Sequence, residues 1–179
     1  MIQINDKLFD VFIQESEITS KILEISATIN SEYKDKELIF IAILNGAFMF
    51  ASDLMKNISI PCEISFVKVS SYEGMSTSGR VDELIGLNTT IENKHVIILE
   101  DIVDTGITID KIRTLLKIEN PASLKVCTLL YKPSAFAGKH QPEIVGFSIP
   151  NKFVVGYGLD YDEKGRNLKE IYQIKENNN

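Results

Sequence analysis

The chain has 179 residues and a mass of 20.1 kDa, with 44% apolar and 25% charged residues, which excludes a disordered, collagen-like or disulfide-dense protein. Nineteen Lys and Arg stand against twenty-five Asp and Glu, a net charge of −6 and a pI near 5.0, which disfavours non-specific nucleic-acid binding. Near the N-terminus the longest apolar run, residues 39–44, falls far short of the roughly 20 residues of a membrane span, and residues 1–6 lack the basic and apolar regions of a signal peptide. Cys62 and Cys127 stand far apart in apolar segments and read as small buried hydrophobes. The expectation is one domain, residues 1–179, in the cytoplasm, with no membrane or nucleic-acid partner.

Ile18, Ile22, Ile25, Ile29 and Tyr33 share one helical face and predict an amphipathic helix over residues 16–33. Residues 38–43 read as a buried strand ended by Asn45-Gly46, and residues 47–57 as a short helix. After Pro61 a second strand spans residues 62–69. Residues 70–80, rich in Ser, Thr and Gly, read as an exposed loop, too long for a hairpin turn and a candidate lid. Strands are then predicted at 96–99, 124–131 and 152–157, with a helix over 108–118. Strands alternating with helices give the fold class: α/β, with a mostly parallel central sheet flanked by helices.

The most informative stretch runs from Val96 to Thr108, an apolar strand that delivers Glu100 and Asp101, then Asp104-Thr105-Gly106-Ile107-Thr108. Ligands of open α/β sheets bind outside the carboxyl ends of the strands. Adjacent carboxylates repel one another and sit together comfortably only beside a cation or hydroxyl donors such as a ribose diol. The turn that follows offers free amides at a helix start, two hydroxyls and a glycine, the makings of a phosphate cradle. It is not a Walker loop, since no Gly-Lys-Ser or Gly-Lys-Thr occurs.

Residues 99–108 resemble the phosphoribosyl-pyrophosphate signature of type I phosphoribosyltransferases, and the rest of the chain resembles the hypoxanthine(-guanine) members of that family. Leu44-Asn45-Gly46-Ala47 is similar to their pyrophosphate loop, Ser71-Tyr72 to the opening of their lid, and Tyr131-Lys132 to the lysine that reads the purine. Residues 152–161, followed by Arg166, resemble their base-binding segment. The resemblance covers residues 38–172 and implies a small base-binding hood beside the sheet. It implies transfer of a phosphoribosyl group from phosphoribosyl pyrophosphate to a purine base, with Mg²⁺ as cofactor and a homodimer or homotetramer as the assembly.

By that resemblance Glu100 and Asp101 would hold the ribose hydroxyls, and Asp104, Thr105, Gly106, Ile107 and Thr108 the 5′-phosphate. Asp104 would also face purine N7 as the proton-transfer group, although its side chain could equally cap the helix. Leu44, Asn45, Gly46 and Arg166 would meet the pyrophosphate, with Ser71 and Tyr72 closing over it. Lys132 would donate to the purine 6-oxo group, Phe153 would stack on the ring and Val154 would offer backbone groups. Glu100, Asp101 and Asp160 would surround Mg²⁺. Asn45 stands where many relatives carry a cation, and Ala47 where glycine is frequent. His95 and His140 read as ordinary surface or strand-edge residues. The rival readings are a regulator of the same fold that senses a nucleotide and binds RNA, and a transferase for xanthine, adenine or uracil.

Overall fold

The computed structural model describes residues 1–72 and 81–175, and runs β1 (Ile2–Ile4), β2 (Lys7–Ile13), α1 (Glu15–Glu32), β3 (Leu38–Ile43), α2 (Phe48–Met55), β4 (Cys62–Tyr72), β5 (Val81–Ile85), β6 (His95–Val103), α3 (Ile107–Lys117), β7 (Ser123–Tyr131), β8 (Ile144–Ser148), β9 (Val154–Val155) and β10 (Ile171–Ile174). Two sheets result. The larger has strand order β5-β4-β3-β6-β7-β8, with all neighbours parallel except the β4–β5 pair. The smaller, β1-β2-β10-β9, is antiparallel and ties the N-terminus to the C-terminal segment.

Every residue of β3 is buried because helices cover both faces of the parallel sheet, which is why it reads as a continuous apolar run. Side chains alternate between two cores. Phe40, Ala42, Ile97, Leu99, Cys127 and Leu129 face α1 and α2, and Ile39, Ile41, Ile43, Val96, Ile98 and Val126 face α3. The α1 stripe is buried as its spacing predicts, with Ile18, Ile22, Ile25, Ile29 and Tyr33 all at most 4% exposed. Its first turn is closed by Glu17 Oε2, which accepts from the Gln14 amide at 3.0 Å.

Three expectations are corrected. Ser70, Ser71 and Tyr72 are not loop. They end β4, paired with Glu83, Asp82 and Val81 of β5, because the Val81–Ile85 segment completes a hairpin ladder that satisfies their backbone groups. The remainder of the candidate lid, residues 73–80, lies outside the described residues. The strand expected over 152–157 shrinks to Val154–Val155, since Gly156, Tyr157 and Gly158 all have positive φ and turn the chain away. It belongs to the antiparallel sheet and not to the parallel one. Strands β1, β2, β5, β8 and β10 were not foreseen from the sequence.

Among the described residues no helix is long and apolar enough to cross a membrane. Cys127 is fully buried and Cys62 half-buried, both as free thiols. His95 Nδ1 pairs with Ser123 Oγ at 2.7 Å, and His140 is exposed.

Candidate active site

The chain leaves β3 for β4 on one side of the sheet, and leaves β6 for β7 on the other. β3 and β6 are neighbours, so the strand order reverses between them, and a crevice opens beyond their carboxyl ends. Three connections meet there: the turn 44–47 after β3, the turn 104–106 after β6, and Lys132 after β7. The Leu44–Asn45 peptide is cis.

Glu100 and Asp101 lie within β6 and not beyond its end, Glu100 opposite Thr128 of β7. Asp101 is 9% exposed and its Oδ1 accepts from the Ile102 amide at 3.0 Å. Burial pushes its carboxyl up to about 6, against the pull of the backbone amides of Ile102 and Asp101 and of the Arg166 guanidinium, with the Asp160 carboxylate adding to the rise. Glu100 is half-buried as a residue, yet its Oε2 is sealed from solvent with no hydrogen-bond partner. Burial first, and then the adjacent Asp101 charge, hold it well above the ordinary carboxylate range. Two acids so placed accommodate a divalent cation or hydroxyl donors. Among the described residues no three His, Cys, Asp or Glu side chains gather into a metal cage. Mg²⁺ needs only one or two carboxylates when it retains water and substrate oxygens, and this donor set fits it on those terms.

Gly46 lies against this pair. A Cβ there would stand 1.7 Å from Asp101 Oδ2, so only glycine allows the turn to rest on the carboxylate. Gly158 in turn packs on Gly46, its notional Cβ 2.0 Å from the Gly46 carbonyl oxygen. Arg166 donates to the Gly158 carbonyl at 2.8 Å and pairs with Asp160 Oδ1 at 2.8 Å. Gly46, Asp101, Asp160 and Arg166 are thus joined by a chain of contacts. Asn45 brings no cation, and Arg166 is the guanidinium whose field reaches Asp101.

The 5′-phosphate candidates are contiguous. Glu100, Ile102, Val103, Asp104, Thr105, Gly106, Thr108 and Ile109 line a pocket of about 100 Å³ at the start of α3. Gly106 adopts φ 79°, and a Cβ would fall 2.3 Å from the Phe136 ring. Its carbonyl accepts from Asp110 N at 3.0 Å, which begins the helix, and the Ile107 amide before it donates to Thr105 Oγ1 at 3.5 Å. Thr105, Ile107 and Thr108 are exposed beside it. A larger hollow of about 450 Å³ lies on the outer side of α3, between Lys117 and Lys139. It holds neither the acid pair nor the phosphate turn.

No side chain caps α3. Asp104 is instead engaged elsewhere, with Lys132 Nζ 2.7 Å from its Oδ2, so the capping alternative falls. Lys132 is 6% exposed. Phe153 is 44% exposed and touches Phe9 and Tyr161, with ring centroids at 6.3 and 5.8 Å. Val154 is buried in β9 opposite Gln173. Phe153 and Val154 thus sit on the small sheet, while Lys132 and Asp104 extend from the large one. Ser71 and Tyr72 are strand residues of β4. Gly158 carried no role in the sequence reading, and its signal was the Gly156-Tyr157-Gly158 spacing of a left-handed turn.

The phosphoribosyl transferase domain family matches residues 13–162, which defines the class of protein. The hypoxanthine phosphoribosyltransferase of Haemophilus influenzae is 44% identical over 92% of this chain and 94% of its own. The hypoxanthine-guanine phosphoribosyltransferase of Bacillus subtilis is 42% identical over 92% of both. Among solved structures, a hypoxanthine phosphoribosyltransferase from Staphylococcus aureus superposes with a TM-score of 0.83 at 40% identity, covering 93% of this chain and 91% of that one. The chain belongs to the hypoxanthine(-guanine) phosphoribosyltransferases, glycosyltransferases of the type I phosphoribosyltransferase family.

Proposed function

We propose that the protein transfers the 5-phosphoribosyl group of phosphoribosyl pyrophosphate to hypoxanthine, and also to guanine, with Mg²⁺, forming IMP or GMP and releasing pyrophosphate. The observation that carries the choice of base is the Lys132–Asp104 pair. A 6-oxopurine protonated at N7 presents an acceptor, O6, next to a donor, N7–H. Lys132 supplies a donor and Asp104 an acceptor at 2.7 Å, a matching edge. Adenine would set an amino group, a donor, against the ammonium, whose acceptor would then be Asp104 and not the base.

On this reading purine N9 attacks C1′ as the bond from C1′ to the pyrophosphate oxygen breaks, and the bonding pair leaves with the pyrophosphate. Asp104 accepts the N7 proton as the ring gains positive charge. Glu100 and Asp101 accept from the ribose hydroxyls, the amides and hydroxyls of 105–108 hold the 5′-phosphate, and Phe153 covers the base. The Gly46 turn and Arg166 meet the leaving group. Glu100, Asp101 and Asp160 would hold a Mg²⁺, which would supply charge neutralisation to the leaving pyrophosphate. Positioning and leaving-group stabilisation, rather than a covalent nucleophile, lower the barrier.

The test mixes protein, Mg²⁺ and phosphoribosyl pyrophosphate with hypoxanthine, guanine, xanthine, adenine or uracil and follows nucleotide formation. Turnover with hypoxanthine and guanine, and little with adenine or uracil, is expected. No turnover with any base, from folded protein that binds phosphoribosyl pyrophosphate, overturns the reading in favour of a nucleotide-sensing regulator.

A further inference from the structure

Residues Asp53 and Tyr157 lie 104 positions apart and meet in one hydrogen bond, Tyr157 Oη donating to Asp53 Oδ2 at 2.6 Å. Tyr157 is 4% exposed. It is the one non-glycine in a run of three positive φ values, 102° at Gly156, 50° at Tyr157 and 99° at Gly158. Left-handed backbone is unfavourable for a tyrosine and persists where the surroundings hold it. Here the Tyr157 amide donates to the Leu168 carbonyl and the Gly158 amide to that of Arg166, each at 2.9 Å. Burial and the Asp53 carboxylate push the phenol above its ordinary value, so it remains a neutral donor. Burial alone would raise Asp53, but hydrogen bonds from Lys56 and Tyr157 outweigh it and keep the carboxyl low, so it remains the acceptor.

The consequence lies at the other end of each residue's element. Asp53 sits on α2, which starts directly after the 44–47 turn. Tyr157 precedes Gly158, whose backbone packs on Gly46, and Gly46 in turn packs on Asp101. The contacts form a chain: Asp53, Tyr157, Gly158, Gly46, Asp101. We propose that Tyr157 and Asp53 are a positioning pair for the pyrophosphate end of the site, their hydrogen bond setting where the 156–158 turn seats on the 44–46 turn. The inference rests on the proposed transferase reading. Neither residue is among the groups proposed to meet the base: Lys132 and Asp104 lie on other connections, and Phe153 and Val154 precede Tyr157 on its own segment.

The test compares Tyr157→Phe, Asp53→Asn, Asp53→Ala and the Tyr157→Phe/Asp53→Ala double variant, with Lys56→Gln as control because Lys56 also pairs with Asp53, at 2.8 Å. Michaelis constants for both substrates are measured, and pyrophosphate affinity is read by calorimetry. Tyr157→Phe should raise KM for phosphoribosyl pyrophosphate and weaken pyrophosphate binding by about tenfold, as for loss of one hydrogen bond to a charged group, with KM for hypoxanthine within about twofold. Asp53→Asn, whose amide oxygen still accepts, should retain most of the affinity. Asp53→Ala should match Tyr157→Phe, the double variant should be no worse than either, and Lys56→Gln should match wild type. Unchanged pyrophosphate affinity in Tyr157→Phe, or equal loss for both substrates, overturns the pair. Wild-type protein inactive with every base would instead overturn the transferase reading, and the pyrophosphate titration would still judge the pair.

Discussion

The ammonium of Lys132 lies 2.7 Å from Asp104 Oδ2, joining the ends of two neighbouring strands, with the lysine side chain 8% exposed and the carboxylate 43%. The buried ammonium is held by a carboxylate that stays accessible to an incoming base. Replacing Lys132 by Met keeps the bulk and removes the donor. The expected result is a rise of roughly 10- to 100-fold in KM for hypoxanthine, the loss of a hydrogen bond to a charged group, and a smaller gap between hypoxanthine and adenine. Steady-state kinetics with both bases check it; an unchanged gap would remove Lys132 from base selection.

Asp104→Asn keeps the shape of the acceptor and cannot take a proton. Turnover should fall by about 10²- to 10⁴-fold while phosphoribosyl pyrophosphate still binds, since the phosphate turn and acid pair are untouched. Single-turnover measurements separate the two steps. Full turnover in this variant would end the proton-transfer assignment.

Gly46→Ala places a Cβ 1.7 Å from Asp101 Oδ2 and 2.4 Å from its Cγ, so either the turn or the carboxylate must shift. A displacement on the order of 1 Å at a positioning group costs about 100-fold. The loss is expected in kcat/KM for phosphoribosyl pyrophosphate, with the protein still folded by circular dichroism. A variant with wild-type kinetics would show that this contact does not shape the site.

The parallel sheet was legible because it is buried on both faces: residues 38–43 read as a strand and are one, and the five-residue stripe on α1 falls where its spacing places it. The candidate acid pair and phosphate turn could be picked out because their residues are contiguous in sequence, from Glu100 to Thr108. The small antiparallel sheet was not. It joins Lys7–Ile13 to Ile171–Ile174, and short, half-exposed strands with partners so distant leave no local period strong enough to read. The contacts of Gly46 with Asp101, of Gly158 with Gly46 and of Tyr157 with Asp53 are relations between connections, which no single segment encodes.

Metal removal tests the donor set. With Glu100 and Asp101 beside one another and no three-residue cage among the described residues, a bound Mg²⁺ would depend on substrate oxygens to complete its shell. Chelation should therefore abolish turnover, with Mg²⁺ restoring it and Ca²⁺ restoring far less. Calorimetry should find metal binding weak without phosphoribosyl pyrophosphate and much tighter with it. Undiminished turnover in excess chelator would overturn the Mg²⁺ assignment.

Stability should follow the acid pair as well. Burial raises Asp101 from an ordinary value of 3.8 to about 6, so the folded ligand-free protein holds this proton more tightly than the unfolded chain does. The contribution is therefore fully present below about 3.8 and lost as pH rises through about 6. At ~1.4 kcal/mol per pH unit the whole effect is about 3 kcal/mol, of which ~1.4 kcal/mol is recovered by pH 5. Glu100, raised by the same burial, acts with the same sign. Lowering pH from 7.5 to 5 should then raise Tm by about 3–5 °C relative to Asp101→Asn, which carries no titrating group there. Phosphoribosyl pyrophosphate with Mg²⁺ should stabilise the wild type more at pH 7.5 than at pH 5, because the ligands relieve a repulsion that protonation has already removed at the lower pH. Parallel Tm curves for wild type and variant across this range would mean that Asp101 is ionised at both limits and that burial does not govern it.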